Sequence, residues 1–254
     1  MLFSELAKSC FDILLPPGCM ICGARLPLGV YHLSGRPRSF CDRCGPEIRY
    51  LTPPLCRICG GENQGPKDGG FLCGDCLREP PPYSIARSVV RYEEQVQRMV
   101  HQLKYSGETA VVPGFMELIE NYDMTEFADI DCVVPVPLHL HRLRRRGLNQ
   151  AVVLARLFFF DKLKLIKLDW LIRKRNTVPQ TELGRVARRR NMRGAFQVRK
   201  AHAFRGARVC LVDDVFTTGT TVKECSKVIL KNGAIEVKVL TLARVGVPRR
   251  SRRL

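Results

Sequence analysis

Four C-x-x-C pairs dominate the first third of the chain: Cys19/Cys22, Cys41/Cys44, Cys56/Cys59 and Cys73/Cys76. A two-residue gap lets two thiolates face one ion while the backbone between them donates N–H bonds to sulfur. Two such knuckles complete a four-thiolate tetrahedron with Zn–S near ~2.3 Å. Paired in order, they make two zinc ribbons holding two structural zinc ions; pairing first with third and second with fourth also fits the spacing. A disulfide framework would need an oxidising compartment, and the apolar stretch Leu2 to Leu15 carries Glu5, Lys8 and Asp12, which suits an amphipathic helix over 1–15 better than an export signal. With every ligand a thiolate, no position stays open for a reacting water, so the metal's role is to fold the module.

A second pattern lies near the other end. Val209-Cys-Leu-Val-Asp-Asp-Val-Phe-Thr-Thr-Gly-Thr-Thr221 is an apolar strand ending in two acids, followed by a hydroxyl-rich turn and a helix start. Such a turn offers backbone N–H groups and the positive end of a helix dipole to an anion. Thr217, Thr218, Thr220 and Thr221 add hydroxyls around Gly219, a cradle for one phosphate. Asp213 and Asp214 beside it suit the vicinal hydroxyls of a sugar, directly or through a metal ion. Together they describe a site for a ribose 5-phosphate. The segment has neither the lysine of a Walker loop nor the G-x-G-x-x-G of a dinucleotide site.

A third candidate is Pro137-Leu-His-Leu-His-Arg-Leu-Arg-Arg-Arg-Gly-Leu-Asn-Gln150, read as a loop. Four arginines and a glycine ahead of a helix start suit a pyrophosphate, because guanidinium forks bind phosphate oxygens bidentately. A solvated basic loop, or one that touches nucleic acid, fits the same composition. His139 and His141 could serve as general acids, but as loop histidines they are read as solvated.

The elements that must position these groups follow from residue 86 onward. Strands are expected at 87–92, 131–136, 168–172, 208–213 and 235–243, and helices at 93–105, 110–121, 149–160 and 220–232. That alternation predicts an α/β fold, a parallel sheet with helices on both faces and ligands at the carboxyl ends of its strands. The expected organisation is an N-terminal amphipathic helix (1–15), a double zinc-ribbon module (16–82), a second domain (83–248) and a basic tail (249–254). Cys10, Cys132, Cys210 and Cys225 fall outside the knuckles and are expected as buried thiols.

The segment around Asp213 and Asp214 resembles the phosphoribosyl pyrophosphate (PRPP) signature of type I phosphoribosyltransferases. With the four knuckles upstream, Leu103-Lys-Tyr-Ser-Gly107, Pro135-Val-Pro-Leu138, Arg146-Gly-Leu-Asn-Gln150, and Gln180, Leu183, Arg188, Asn191 and Ala195-Phe196 at matching spacing, the chain resembles the ComF family of bacterial competence proteins. Leu148 departs from it, standing where the family usually carries Phe. The resemblance implies a type I phosphoribosyltransferase-like domain behind a zinc-ribbon head. Asp213 and Asp214 would then meet the ribose hydroxyls or a magnesium ion that accompanies PRPP. Residues 217–221 would hold the 5-phosphate, and Arg142, Arg146 and Gly147 the pyrophosphate. The segment 173–195, with Gln180 and Arg188, would form a lid. Lys104 either faces the ligand or is a surface lysine at a helix end. The resemblance also implies a part in the uptake or handling of transforming single-stranded DNA, with a DNA-uptake helicase or channel component as a further partner. The alternative is an active transferase that moves phosphoribose from PRPP to a nitrogen acceptor.

Charge separates the two halves. Residues 1–85 carry 9 basic and 8 acidic side chains, whereas residues 86–254 carry 33 and 16. Between 142 and 200 there are 18 Lys/Arg against three acids, and Arg249, Arg250, Arg252 and Arg253 add a basic tail. That surplus exceeds what one PRPP needs and points to a polyanion such as single-stranded DNA. At 45% hydrophobic and 26% charged the composition is globular. The longest apolar run, Ala151 to Phe160, is broken by Arg156 and is too short to span a bilayer. A cytoplasmic protein is expected.

Overall fold

A computed structural model describes residues 18–27, 35, 37–62, 71–105, 109–176, 190, 192–200 and 202–246. The expected helix over 1–15, Cys10, the lid residues Gln180 and Arg188, and the basic tail lie outside the described residues. No helix among the described residues is long and apolar enough to cross a membrane.

The main sheet has four parallel strands in the order β1-β6-β5-β2: β1 (Ile85–Arg91), β2 (Cys132–Pro135), β5 (Arg208–Phe216) and β6 (Glu236–Arg244). The central pair, β5 and β6, is apolar on both faces. Val209, Cys210, Leu211 and Val212 and, across from them, Val237, Val239 and Leu240 are almost wholly buried, as parallel strands covered on both sides must be. One face packs on α2 (Glu94–Tyr105), α3 (Val112–Ile119) and α5 (Gln150–Phe158) through Met99, Phe115, Leu118, Leu154 and Phe158. The other packs on α6 (Thr220–Lys231) through Val222, Cys225 and Ile229. The α/β class with helices on both faces is as expected.

Three local expectations differ. Strand β5 does not stop at the acids; it continues through Asp213 and Asp214 to Phe216, pairing Asp213 with Thr241 and Phe216 with Arg244. Backbone pairing with β6 is indifferent to side-chain polarity at the end of the sheet where it opens. The arginine-rich stretch after β2 is a helix, α4 (Leu140–Arg146), rather than a loop. Leu and Arg are good helix formers, and the His139 side chain caps the helix by accepting from the His141 N–H. Finally, the strand expected at 168–172 is β3 (Leu171–Arg173). It pairs antiparallel with β4 (Phe196–Val198) in a separate two-stranded sheet, not with the parallel one.

The cysteine-rich head folds into two knuckle pairs, and a short helix, α1 (Gly74–Arg78), starts at Cys73. Among the described residues its own clusters hold little besides the cysteines, Leu26 beside Cys19 and Cys44 in one half and the partly buried Phe71 and Leu72 on Cys56, Cys59 and Cys76 in the other, while Phe40 and Ile48 are buried in the core of the body. The head covers the free edge of β1 with backbone hydrogen bonds: Ala86 N to Ile58 O (2.6 Å), Leu51 N to Val89 O (3.0 Å) and Arg91 N to Arg49 O (2.8 Å). An edge strand so covered offers no template to another chain. The approach is close enough to exclude a side chain at Gly60, where a Cβ would lie 2.4 Å from the Ala86 carbonyl oxygen.

Candidate functional site

The cysteines pair in sequence order. Cys19, Cys22, Cys41 and Cys44 form one tetrad and Cys56, Cys59, Cys73 and Cys76 the other, with sulfurs within 4.8 Å of one another in each. The interleaved pairing is thereby excluded. A zinc tetrahedron with Zn–S of ~2.3 Å sets its sulfurs ~3.8 Å apart. Cys22 and Cys41 sulfurs are 3.8 Å apart, and those of Cys59 and Cys73 3.6 Å. Backbone N–H groups donate to the sulfurs, Cys44 to Cys41 (3.4 Å) and Cys73 to Cys56 (3.3 Å). The first of these is the main cause that holds the Cys41 thiol down to about 6. The donor sets fit structural zinc in both places, with all four positions of each ion filled. Cys132, Cys210 and Cys225 are buried free thiols in the body.

At the carboxyl ends of β2 and β5 the second site assembles. Asp213 and Asp214, near the end of β5, are both partly buried, and the Asp214 N–H donates to Asp213 Oδ1 at 2.9 Å. Burial and the neighbouring Asp214 charge push Asp213 up to about 7, against the opposing pull of that N–H, Lys104 and Arg173. Lys104, at the end of α2, pairs with Asp214 at 2.7 Å with both side chains largely covered. Burial alone would lower Lys104, but Asp214 overrides it and holds the ammonium above its ordinary range. The open choice about Lys104 is thus decided: it belongs to the acidic pair.

The turn 217–219 leads into α6. Gly219 caps that helix in the left-handed region (φ +70°), and a Cβ there would meet the Phe216 ring at 2.7 Å. Only glycine satisfies both the conformation and the contact. Thr218 and Thr220 hydroxyls share a hydrogen bond of 2.8 Å. Thr217 is exposed, Thr218 and Thr221 partly so, and Thr220 is buried under the turn. Helix α6 runs for 12 residues, so the positive end of a developed dipole faces this bend.

Arg142 and Arg146 lie on α4, and Gly147 closes that helix by donating its N–H to Leu143 O at 2.9 Å. Asn149 caps α5 through Ala151 N and also donates to Val136 O (3.1 Å), tying the loop back to β2. Arg146 donates to Gln150 Oε1 (3.4 Å), and Gln150 in turn donates to Leu103 O (3.4 Å), next to Lys104. The basic segment is therefore anchored to the helix end that meets the acids.

Sequence reasoning missed one group at this centre. Arg173, at the end of β3, is pushed down to about 10 by burial and by the positive charges of Arg142 and Arg146, partly offset by Asp213. Three guanidinium groups and a carboxylate thus share one electrostatic neighbourhood. Arg173 rests against the Phe196 ring (5.6 Å) and donates to Met192 Sδ (3.5 Å). A visible signal was an arginine closing a short apolar strand, where charge is seldom covered without a purpose.

With this geometry established, residues 10–79 match the double zinc ribbon domain and residues 108–253, more than half of the chain, the phosphoribosyl transferase domain. The chain is 32% identical to the DNA utilization protein YhgH of Salmonella typhimurium over 91% of its length and 99% of that protein's. It is 30% identical to competence protein F of Haemophilus influenzae, over 80% of this chain and 90% of that one. The chain belongs to the ComF family. A more distant ComF relative, competence protein ComFC of Bacillus subtilis, is 25% identical over 89% of this chain and 94% of that one. The ComF fold expected from the motifs is thus the one observed, with the zinc-ribbon head joined to a phosphoribosyltransferase-type sheet.

The Phe216–Gly219 contact in this ComF chain supports a direct expectation. Gly219→Ala forces a side chain into the left-handed region and against a buried ring, and should cost roughly 1–3 kcal/mol. A denaturant titration checks it through a lower midpoint at unchanged slope.

Proposed function

We propose that the bend at 217–221 binds the 5-phosphate of PRPP, with Asp213 and Asp214 meeting the ribose hydroxyls directly or through magnesium. Arg142, Arg146 and Gly147 take the pyrophosphate, and the segment between β3 and β4, with Gln180 and Arg188, closes over it; Arg173 at one end, and Met192 and Ala195 at the other, are held in the fold rather than in that lid. The observation that carries this reading is the convergence at one end of the sheet of a glycine-capped helix start and two adjacent acids, within reach of the charges of Arg142, Arg146 and Arg173. Magnesium would neutralise charge between the pyrophosphate and the acids; carboxylates and phosphate oxygens are the hard donors it prefers. Arg173 adds a cation on the pyrophosphate side. Calorimetric titration with PRPP in the presence of magnesium should show one site per chain, with ribose 5-phosphate and pyrophosphate each binding more weakly. Absence of heat for all three ligands would refute the reading.

The names of the relatives, competence and DNA utilization proteins, favour a part in the handling of transforming single-stranded DNA, in the cytoplasm where the thiolates stay reduced. A DNA-uptake helicase or channel component would be the protein partner. The +18 formal charge supports the nucleic-acid half of this proposal. Aromatic residues are only 7% of the chain, so affinity should rest on phosphate contacts rather than base stacking. Binding to a labelled oligonucleotide should fall by roughly a hundredfold or more between low and several-hundred-millimolar salt. Equal affinity at both ends of that range would reject it.

The clustered arginines favour a second reading, phosphoribosyl transfer. The C1–pyrophosphate bond would break as a C1–N bond forms, the nitrogen passing its proton to water or to the departing pyrophosphate and the leaving charge falling among Arg142, Arg146 and Arg173. Pyrophosphate release from PRPP, magnesium and a panel of nitrogen acceptors separates transfer from binding alone.

A further inference from the structure

Arg244, the last residue of β6, is a buried cation that lies between the second cysteine tetrad and the turn at 217–219. It is 8% exposed. Its Nη1 donates to Cys59 O at 2.6 Å and its Nη2 to Cys59 Sγ at 3.5 Å. Gly61 lets the guanidinium lie flat there, since a Cβ at that position would stand 3.0 Å from Nη2. A zinc ion bound by four thiolates keeps a net negative charge, so a cation against one sulfur is favourable, and burial makes that attraction stronger than it would be in water. On its other face the guanidinium stacks on Phe216, 4.3 Å from the ring centroid. Arg244 and Phe216 are also direct partners across β5 and β6, and Val245 N donates to Phe216 O at 3.0 Å. Tyr83 meets the Phe216 ring edge-on at 6.4 Å. The same ring lies directly beneath Gly219, at the distance that forbids a Cβ.

The contacts form one unbroken line: tetrad sulfur, guanidinium, ring, capping glycine. The first tetrad has no part in it. Its knuckles pack instead on α3, where Met20 and Phe40 approach Gly114 and Ser39 N donates to Glu117 Oε2 at 2.5 Å. We propose that Arg244 is a positioning residue that couples the second zinc centre to the phosphate-binding turn, so that metal bound at Cys56, Cys59, Cys73 and Cys76 holds that turn in shape. The coupling to ligand affinity rests on the sugar-phosphate reading above; the coupling to the shape of the turn does not. A zinc centre lost to oxidation or chelation would then loosen a site that none of its cysteines touches.

The test uses the full chain and reads amide hydrogen exchange at residues 216–221. Arg244→Met keeps length and apolar contact but removes the donors and the charge. Phe216→Leu cuts the line on the other side of the guanidinium and serves if the first variant does not fold. Each should retain two zinc ions, by colorimetric release, and exchange 216–221 about tenfold faster than the parent chain. Stripping zinc from the parent chain should give the same acceleration, and stripping it from Arg244→Met should add nothing further at these amides, the non-additivity expected of groups on one path. Cys22→Ser, which breaks only the first tetrad, should leave 216–221 unchanged. Unchanged exchange in both variants, additive effects of zinc loss and Arg244→Met, or an equal response to Cys22→Ser would each overturn the proposal. PRPP affinity should also fall about tenfold in Arg244→Met. If the parent chain fails to bind PRPP the sugar-phosphate reading falls, while the exchange experiment still decides the role of Arg244.

Discussion

Replacing Asp213 by Asn should abolish measurable PRPP binding and at the same time raise the melting temperature. Two charge-assisted hydrogen bonds to ribose hydroxyls are worth about 3 kcal/mol or more together, so the affinity loss should be at least about a hundredfold. The stability gain has a separate cause. Burial and the charge of Asp214 lift Asp213 to about 7 in the folded chain, against roughly 4 when unfolded. The folded state therefore holds this proton more tightly, and stability declines as pH rises from about 4 through about 7. Asn carries no charge and removes that decline, so its advantage is greatest at pH 7 and above. Asp214→Asn should do the opposite to stability, because it leaves the covered Lys104 ammonium without its 2.7 Å partner. Calorimetric binding and thermal melts on the two single variants at pH 5 and about pH 8 separate the effects. Parent-like PRPP affinity in Asp213→Asn would show that the carboxylate does not meet the ligand. A site acid destabilised for the sake of its ligand should show both signatures together.

The second large effect is metal removal. Among its described residues the head's own clusters hold little beyond cysteines, and Phe40 and Ile48 are buried against the body instead, so the segment cannot repay its conformational entropy by burial within itself. Structural zinc supplies about 10–16 kcal/mol in comparable small sites. A strong chelator should therefore unfold the head cooperatively while the parallel sheet keeps its far-ultraviolet signal. Cys76→Ser, which removes one ligand of the second tetrad, should reduce bound zinc from two ions to one. The edge of β1 should fray with it, since the head caps that strand through Ile58, Leu51 and Arg49. A head that melts at the same temperature with and without chelator would contradict the account.

How far the sequence disclosed this architecture depended on whether a residue's role is set by its neighbours in the chain. The knuckles and the 209–221 segment were legible because their chemistry is local: a spacing fixes two sulfurs, and a strand, turn and helix start follow one another directly. The order of knuckle pairing was not, because either pairing satisfies the spacing and only the packing of both ribbons chooses. The arginine segment reads as a loop by its basic composition, whereas the helix propensity of Leu140 to Arg146 and the cap from His139 make it a helix. His139 accordingly has a structural duty at the start of that helix. Arg173 is not legible in the sequence because its place depends on where β3 pairs with β4, an antiparallel contact between segments more than twenty residues apart. Arg244 was silent for the same reason: its partners, Cys59 and Phe216, are distant in sequence. Lys104 stood between these cases, its position evident at a helix end and its partner visible only once α2 and β5 were packed together.

The claim on which the rest depends is that the turn following β5 grips a sugar phosphate. The most direct measurement is a crystal structure of the full chain grown with ribose 5-phosphate and magnesium. The account predicts phosphate density against the amides and hydroxyls of residues 217–221, with the ribose hydroxyls toward Asp213 and Asp214. Well-ordered ligand bound elsewhere, or that turn closed over its own side chains with the ligand excluded, would contradict it.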